Sequence, residues 1–328
     1  MMKIRLYKEG DEIKLWELDR RLEVHPWNRR ELSNWYWKYS DQNPAGKSFI
    51  WVMEEGNNIV AHFAVVPYRL QVFDEELVAS HSIGAMVEPK YQNRGLLKFV
   101  GDKLFEEAAQ NNIPFTYGFP NEKAYRVHRT HMGYEDLIEF DTWKITRPAI
   151  DKSTLNITDS ASFRPVKEFD DDFDRLWDLC SEKYKIVVVR NKAYLNWRYL
   201  ERPDWKYYPF GVYANGELKG YSVLKLYRED KLLRGHIIDI FADLHDEDTI
   251  TKIINGSLSF FSEQKVDEVT CWLWGSRLIE QVLEGKGFIK EATRIPLVIR
   301  LNKEFKYAGE VKDKKSWYFT MGDSTEIF

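Results

Sequence analysis

The chain has 328 residues, 44% of them apolar and 30% charged, which is enough to bury one large core or two ordinary ones. Its formal net charge of −4 at pH 7 argues against the strongly basic surface of a nucleic-acid-binding protein. No apolar run approaches membrane-spanning length, and the N-terminus MMKIRLYKEGDE has charges where a signal peptide needs an apolar core. Cys180 and Cys271 have no paired spacing that would indicate a disulfide or a zinc site. We expect a cytoplasmic protein with two buried, reduced thiols, no metal, and no membrane or nucleic-acid partner.

In chain order, the first half predicts a strand, a helix, a hairpin, a long strand, a helix, a short strand, a helix and a final strand. The hairpin is EEGNNIVAHFAV, with a Gly/Asn turn between its strands. The long strand is VASHSIGAMV, and the amphipathic segment LLKFVGDKLFEEAAQ predicts the helix after it. A strand over residues 114–119 and a helix from Asn121 toward Met132 follow. Strands mixed with crossover helices indicate an α/β or α+β layer structure.

The second half of the chain repeats the first. IRLYKEGDEIKLWEL near the N-terminus matches FRPVKEFDDDFDRLWDL, and EEGNNIVAHFAV matches YANGELKGYSVL. Five such groups of matching segments and residues occur in the same order in both halves, which indicates a duplicated domain. The matching single residues are Arg5 and Arg164, Asp11 and Asp170, Trp16 and Trp177, Trp37 and Trp197, Pro44 and Pro203, and Gly133 and Gly287.

The boundary between the halves is predicted in RPAIDKSTLNITDSAS, which is rich in Ser, Thr and Asp and poor in periodicity. We therefore predict a domain over residues 1–148, a linker over residues 149–162, within which a strand could hide, and a second domain over residues 163–328.

One strand-to-helix junction, VEPKYQNRGLL, carries the strongest chemical signal. The first amides of a helix have no intrahelical partner and the helix dipole adds positive charge, so anions bind there. Gly95 lets the backbone approach a phosphate, and Arg94 adds a charge. Pro89 cannot donate to a sheet ladder and would open the sheet here. The junction is a pyrophosphate cradle or a plain turn with a left-handed glycine.

This segment resembles motif A of the GNAT acyltransferases, usually written as Arg or Gln, x, x, Gly, x, Gly or Ala. Gln92 and Gly95 match, whereas Leu97 stands where Gly or Ala is usual. Downstream, YGFPNEKAYRVHRTHMGYE is similar to the family's late strand and Asn-x-x-Ala helix, and the resemblance covers most of residues 1–145. It implies two tandem GNAT-like domains, each with a mixed, mostly antiparallel sheet flanked by helices.

The resemblance also implies acetyl-CoA as co-substrate and N-acetyl transfer to an amine of a small molecule or an amino sugar, by a monomer or homodimer. Loop amides would bind the pyrophosphate, and residues near Asn121 would bind the pantetheine arm. The implied cofactor-binding residues are Met86, Val87, Gln92, Asn93, Arg94, Gly95, Leu96, Leu97, Asn121 and Ala124.

Five further residues are candidates for chemistry or acceptor binding. Members of the family often use a tyrosine in the last helix as the acid, and His128 stands at that spacing, seven residues after Asn121. His128 would act in its charged form, with an ordinary helix histidine as the alternative. Glu88 is a candidate to accept the amine proton, with a surface carboxylate as the alternative. His81, Trp317 and Asp323 are candidate acceptor-binding residues, with core or edge-strand roles as the alternatives.

The second half lacks the cradle motif. DLHDEDTITK follows its long strand, and these acidic residues would repel a pyrophosphate. We expect this half to bind no CoA and to contribute to the acceptor site in a cleft between the halves. Two other functions remain open: a Fem-type aminoacyltransferase using aminoacyl-tRNA, and a scaffold that binds acyl-CoA without catalysis.

Overall fold

The structure, a computed structural model, describes residues 2–22, 32–39, 42–154 and 162–324. The helices, in chain order, are α1 (Asp11–Leu22), α2 (Leu32–Tyr39), α3 (Leu96–Gln110), α4 (Glu122–His131), α5 (Arg147–Thr154), α6 (Asp171–Cys180), α7 (Lys192–Leu195), α8 (Glu247–Glu263) and α9 (Arg277–Gly285). The strands are β1 (Met2–Leu6), β2 (Phe49–Glu55), β3 (Asn58–Val72), β4 (Glu75–Val87), β5 (Phe115–Gly118), β6 (Glu135–Thr146), β7 (Phe163–Pro165), β8 (Ile186–Val188), β9 (Tyr207–Ala214), β10 (Glu217–Glu229), β11 (Leu232–Ala242), β12 (Glu268–Cys271), β13 (Leu273–Trp274), β14 (Ile289–Leu301) and β15 (Phe319–Thr320).

The predicted helices and hairpins form because local signals agree with them. The β9–β10 turn is Asn215-Gly216, and both residues have positive φ, 53° and 82°, as a tight hairpin turn requires. Asp170 and Asn191 cap α6 and α7 by accepting a bond from a backbone N–H of the first turn. The predicted linker begins with α5, and residues 155–161 lie outside the described residues.

The strands of the described residues form one large sheet of mixed, mostly antiparallel character. Its order is β1-β2-β3-β4-β5-β14-β6-β12-β11-β10-β9-β7, with β8 beside β3 and a separate β13–β15 pair. Only β4–β5 and β11–β12 are parallel, and each is joined by a crossover helix, α3 or α8. Helices flank the sheet, so the fold class predicted from the sequence is confirmed.

The two halves exchange their last strands. β14 of the second half pairs with β5 of the first, at Val298–Gly118 through Leu301–Phe115. In return, β6 of the first half pairs with β12 of the second, and β6 and β14 also pair with each other. Each half therefore completes the sheet of the other, and the two predicted domains are continuous in sequence but share one sheet.

Trp37 and Trp197 contact each other reciprocally, as residues related by a twofold axis would. Trp37 and Trp197, matched above as repeat positions, stack on each other with ring centroids 5.0 Å apart. Each indole Nε1–H donates to the backbone carbonyl of the other tryptophan, at 2.8 Å and 3.4 Å. A self-complementary contact of this kind is what a twofold relation produces. The repeat is thus visible in the packing as well as in the order of elements.

Both cysteines, Cys180 and Cys271, are buried free thiols. Burial raises the pKa of each thiol, which keeps both protonated and unreactive. Within the described ranges no helix is both long and apolar enough to cross a bilayer.

A buried lysine in β10 makes stability depend on pH. Lys225 is 5% exposed, and burial, with smaller contributions from Arg202 and Arg198, lowers its pKa to about 6. The folded chain loses this proton above pH 6, whereas the unfolded chain keeps it up to pH 10.5. The free energy of unfolding therefore gains about 1.4 kcal/mol per pH unit from this group between those limits.

We expect Lys225→Met to remove that slope and to stabilise the protein most near pH 6. Denaturant unfolding at several pH values measures it, with the exposed Lys206→Met as the control. Parallel pH profiles for wild type and Lys225→Met would contradict the expectation.

Candidate active site

The sheet opens between β4 and β5. These parallel strands pair only at Ser80–Thr116 and His81–Tyr117. Beyond this point β4 pairs with β3 alone, through Met86–His62 and Val87–Ala61, and the edge of β4 toward β5 has no strand partner in the described sheet. We call the gap between the diverging strands β4 and β5 the slot, and it extends from the end of β4 to the last paired residues. A linear ligand can bind in such a slot through backbone hydrogen bonds.

A bulge shapes the free edge of β4. The register with β3 shifts between His62 and Ala64, and Gly84 has a φ of 65°. His62 Nδ1 is hydrogen-bonded to the Gly84 carbonyl, and a Cβ at position 84 would collide with the hydroxyl of Tyr39. His62 and Tyr39 therefore hold the bulge in place. Neither His62 nor Tyr39 is among the site residues predicted from the sequence; the glycine within a strand pattern was the available signal.

The loop after β4 presents unused amides at the start of α3. Gly95 is the N-cap, with φ 74°, and Asn93 also has positive φ, 61°. Among the described residues, no backbone N–H of residues 93–97 donates a hydrogen bond. Gln92 Nε2 donates to the Val87 carbonyl at 3.1 Å and braces the loop against the end of β4. The predicted cradle is therefore present as a geometry, and Leu96 and Leu97 form the first turn of the helix.

Two cations lie beside this cradle. Lys90 and Arg94 contact the ring of Tyr91, with Nζ and Cζ at 5.0 Å and 5.3 Å from its centroid. Neither side chain forms an ion pair with a described residue, so both can contact an anion. Tyr91 is itself held by a hydrogen bond from its hydroxyl to Glu55.

Asn121 caps the N-terminus of α4, the helix that follows β5. Asn121 Oδ1 accepts a bond from the Ala124 N–H at 2.9 Å. The side-chain Nδ2 makes no hydrogen bond within the described ranges and remains a donor. The cap explains the Asn-x-x-Ala spacing locally, because the capped amide is the one three residues on.

His128 is buried on α4 and not exposed to the slot as an acid. It is 3% exposed, its Nδ1 bonds to the Ala124 carbonyl at 2.6 Å, and its ring lies edge-on against Phe63 and Tyr134. Burial lowers the pKa of His128. The charged form that the predicted acid role requires is therefore disfavoured, and this geometry fits the alternative of a packed helix histidine better.

Glu88 lies where β4 ends, next to the cradle. Its Oε2 accepts a bond from Arg21 Nη2 at 3.1 Å, which ties the end of β4 to α1. Glu88 is seven residues beyond His81, the last residue of β4 that pairs with β5. These ends of the slot are separated by roughly 20 Å of strand. The predicted site residues therefore do not form one cluster, and a base role for Glu88 stays a prediction.

His81 is buried, which fits the alternative of a core residue better than the predicted acceptor contact. The ring is 1% exposed and stacks on Tyr117 with centroids 5.2 Å apart. Tyr68 and Phe119 contact it edge-on. His81 is part of an aromatic cluster that closes the inner end of the slot.

Trp317 and Asp323 are also buried, which fits the edge-strand and turn alternative better than the predicted acceptor binding. Trp317 is 1% exposed, stacks on Phe319, and donates from Nε1 to the Val311 carbonyl at 2.9 Å. Asp323 is 0% exposed and accepts bonds from Arg190 Nη2 at 3.0 Å and from the Thr320 N–H at 2.8 Å. Neither side chain reaches the surface, and the edge-strand and turn alternative holds.

The N-terminus of α8 in the second half, which corresponds to that of α3, is already capped by a carboxylate. Asp246 caps α8, and its Oδ1 accepts a bond from the Thr249 N–H at 3.0 Å. Glu247 and Asp248 add negative charge in the first turn. The carboxylate takes the place that a phosphate would need, which supports the prediction that this half binds no CoA.

Comparisons with known proteins match this geometry. Residues 3–135 match the family model described as an acetyltransferase (GNAT) domain. No curated protein matches the sequence.

Several solved structures share the fold over most of the chain. A GCN5-related N-acetyltransferase from Anabaena variabilis is 15% identical, with TM-score 0.69, over 92% of this chain and 73% of that one. A probable N-acyltransferase of unknown function from Enterococcus faecalis is 12% identical, with TM-score 0.71, over 92% and 73%. Saccharomyces cerevisiae N-myristoyltransferase with bound myristoyl-CoA is 9% identical, with TM-score 0.63, over 93% and 83%.

At these identities the structures establish the fold, and the family model matches residues 3–135 without the second half of the chain. The unused amides at the start of α3 and the slot beside β4 both lie within residues 3–135, the part of the chain that the family model matches. Residues 3–135 of this chain match the acetyltransferase (GNAT) domain, and most of the chain has the fold of solved N-acyltransferase structures.

Proposed function

We propose that the protein is an acyl-CoA-dependent N-acyltransferase that transfers an acetyl group to a primary amine of a small molecule or an amino sugar. The observation that carries this proposal is the set of unused amides over residues 93–97, which lies at the mouth of the β4–β5 slot. A pyrophosphate bound there directs the pantetheine arm along the free edge of β4. The thioester then lies deep in the slot.

The inner end of the slot favours a short acyl group. Tyr117 and His81 are buried and close-packed there, and Phe119 lies edge-on against His81. A chain longer than a few carbons would have to displace these rings. We therefore propose acetyl-CoA rather than a long-chain acyl-CoA as the co-substrate.

The chemistry requires a neutral amine, a polarised thioester carbonyl and a proton for the departing thiolate. Backbone N–H groups on the free edge of β4 can polarise the carbonyl, and His62 and Tyr39 position that edge. Much of the rate enhancement then comes from holding the amine and the thioester together.

Calorimetry with acetyl-CoA and a free-thiol release assay over amino sugars, polyamines and peptides test the proposal. We expect one acetyl-CoA per chain and thiol release with at least one amine. Binding of acetyl-CoA without thiol release for any amine would favour the non-catalytic scaffold. No binding of CoA at all would leave the aminoacyl-tRNA-dependent alternative.

Asn121 has two separable roles, helix capping and hydrogen-bond donation to the ligand, and two substitutions distinguish them. Asn121→Asp keeps the capping oxygen but removes the Nδ2 donor, so we expect normal stability and weaker acetyl-CoA binding, by roughly tenfold. Asn121→Ala removes both and should also lower the free energy of unfolding by about 1 kcal/mol. Thermal unfolding and calorimetry separate the two effects. Unchanged affinity in Asn121→Asp would show that Asn121 is a helix cap alone.

A further inference from the structure

An exposed phenylalanine lies beside the cradle. Phe99 is on the first turn of α3 and is 55% exposed, whereas the apolar residues on the other face of α3 are buried. It makes no ring contact with any residue in the described ranges. Leaving this much aromatic surface in water is unfavourable, and a ligand that covers the ring would gain from it.

The ring is placed over the phosphate end of the site. Helix side chains lean toward the N-terminus, so the ring of Phe99 leans back over Gly95. Its Cε2 would be 4.0 Å from a Cβ at position 95, with no other atom within that distance. The exposed ring therefore borders Gly95 and the unused amides of the loop.

The direction of CoA through the site follows from these positions. The pyrophosphate lies in the middle of CoA, between the pantetheine arm and the adenosine. If the arm enters the slot, the adenosine must leave the cradle over the outer surface of the first turn of α3. Phe99 is the exposed aromatic residue of that turn, and the neighbouring Lys98 is engaged in an ion pair with Asp102 at 2.6 Å.

We propose that Phe99 forms the adenine subsite, with its ring stacked on the adenine of CoA. This inference rests on the proposed function, because it takes CoA as the ligand. Adenine presents two flat faces to an aromatic ring, and stacking of a base on such a ring tolerates a range of approach angles. Arg94, which is free of ion pairs in the described residues, lies on the loop before Gly95 and is available to a phosphate.

The test compares two ligands with two variants. CoA carries adenosine, whereas 4′-phosphopantetheine has the same arm and one phosphate but no adenosine. We expect Phe99→Ala to weaken CoA on the order of tenfold by calorimetry and to leave the affinity for 4′-phosphopantetheine unchanged. Phe99→Trp, which keeps a stacking surface, should bind CoA at least as tightly as wild type. The ring is exposed, so both variants should fold.

Leu179→Ala is the matched control, because Leu179 is an apolar side chain, 72% exposed, on α6 of the second half. It should change neither affinity. Equal weakening of both ligands by Phe99→Ala, or no weakening of CoA, overturns the adenine subsite. If the wild-type protein binds CoA and Phe99→Ala gives either of these results, only the adenine subsite is refuted. If the wild-type protein does not bind CoA, the proposed function is refuted as well.

Discussion

Gly95→Asp is expected to abolish CoA binding. Gly95 is the N-cap of α3 with φ 74°, and the space at its Cβ position is open except for the ring of Phe99. An aspartate there directs a carboxylate toward the unused amides of residues 93–97, as Asp246 does at α8, and repels the pyrophosphate. We expect the affinity for acetyl-CoA to fall on the order of 100-fold or more in calorimetry.

Gly216→Asp is the matched control for the backbone strain. Gly216 also has positive φ, 82°, with no atom near its Cβ position, and it lies in the β9–β10 turn. Both substitutions should cost similar stability, but only Gly95→Asp should lose CoA. Two acetyl-CoA molecules per wild-type chain, or normal binding by Gly95→Asp, would refute the assignment of the cradle.

Arg190→Met is expected to be the most destabilising substitution in the second half. Arg190 donates from Nε to Asp239 at 3.2 Å and from Nη2 to Asp323 at 3.0 Å, and all three side chains are at most 1% exposed. Burial lowers the pKa of Arg190, but attraction to the two carboxylates outweighs it and the net pKa is raised. Removing the guanidinium leaves two buried carboxylates uncompensated, at a cost of about 3–5 kcal/mol in the free energy of unfolding.

The physical cause can be tested by removing the carboxylates too. If unpaired buried charge is responsible, the triple variant Arg190→Met, Asp239→Asn, Asp323→Asn should be more stable than Arg190→Met alone. Denaturant unfolding of the three proteins measures the difference. A loss below about 1 kcal/mol for Arg190→Met, or additive losses in the triple variant, would contradict this account. Asp323→Asn is accordingly expected to change stability rather than the KM for an acceptor.

The features that the sequence predicted correctly are those determined by short stretches of chain. The cradle at α3 follows from Gly95 and its neighbours, because the backbone conformation of a helix start depends on a few adjacent residues. The cap at Asn121 and the hairpin turn at Asn215-Gly216 are local in the same sense. The duplication was also visible, since the repeated pattern needs only the order of residues.

The features that the sequence could not predict depend on contacts between distant residues. A strand pattern does not specify its neighbour, so the exchange of β6 and β14 between the halves was not predictable. Trp317 and Asp323 are an aromatic and an acidic residue, types that are typical of an exposed sugar-binding site. Only the packing shows that they are buried. The charge of His128 was misjudged for the same reason, because burial sets its pKa.

The sequence by itself therefore determined the α/β fold, the GNAT resemblance of the first half and the position of the glycine-capped helix start at α3. The tertiary structure alone decided which strands complete the shared sheet, which predicted residues are buried, and that His62 and Tyr39 hold the bulge at Gly84. The physical reason is distance along the chain. Helix starts and turns depend on neighbouring residues, whereas burial, strand pairing and pKa depend on residues that may be more than a hundred positions apart.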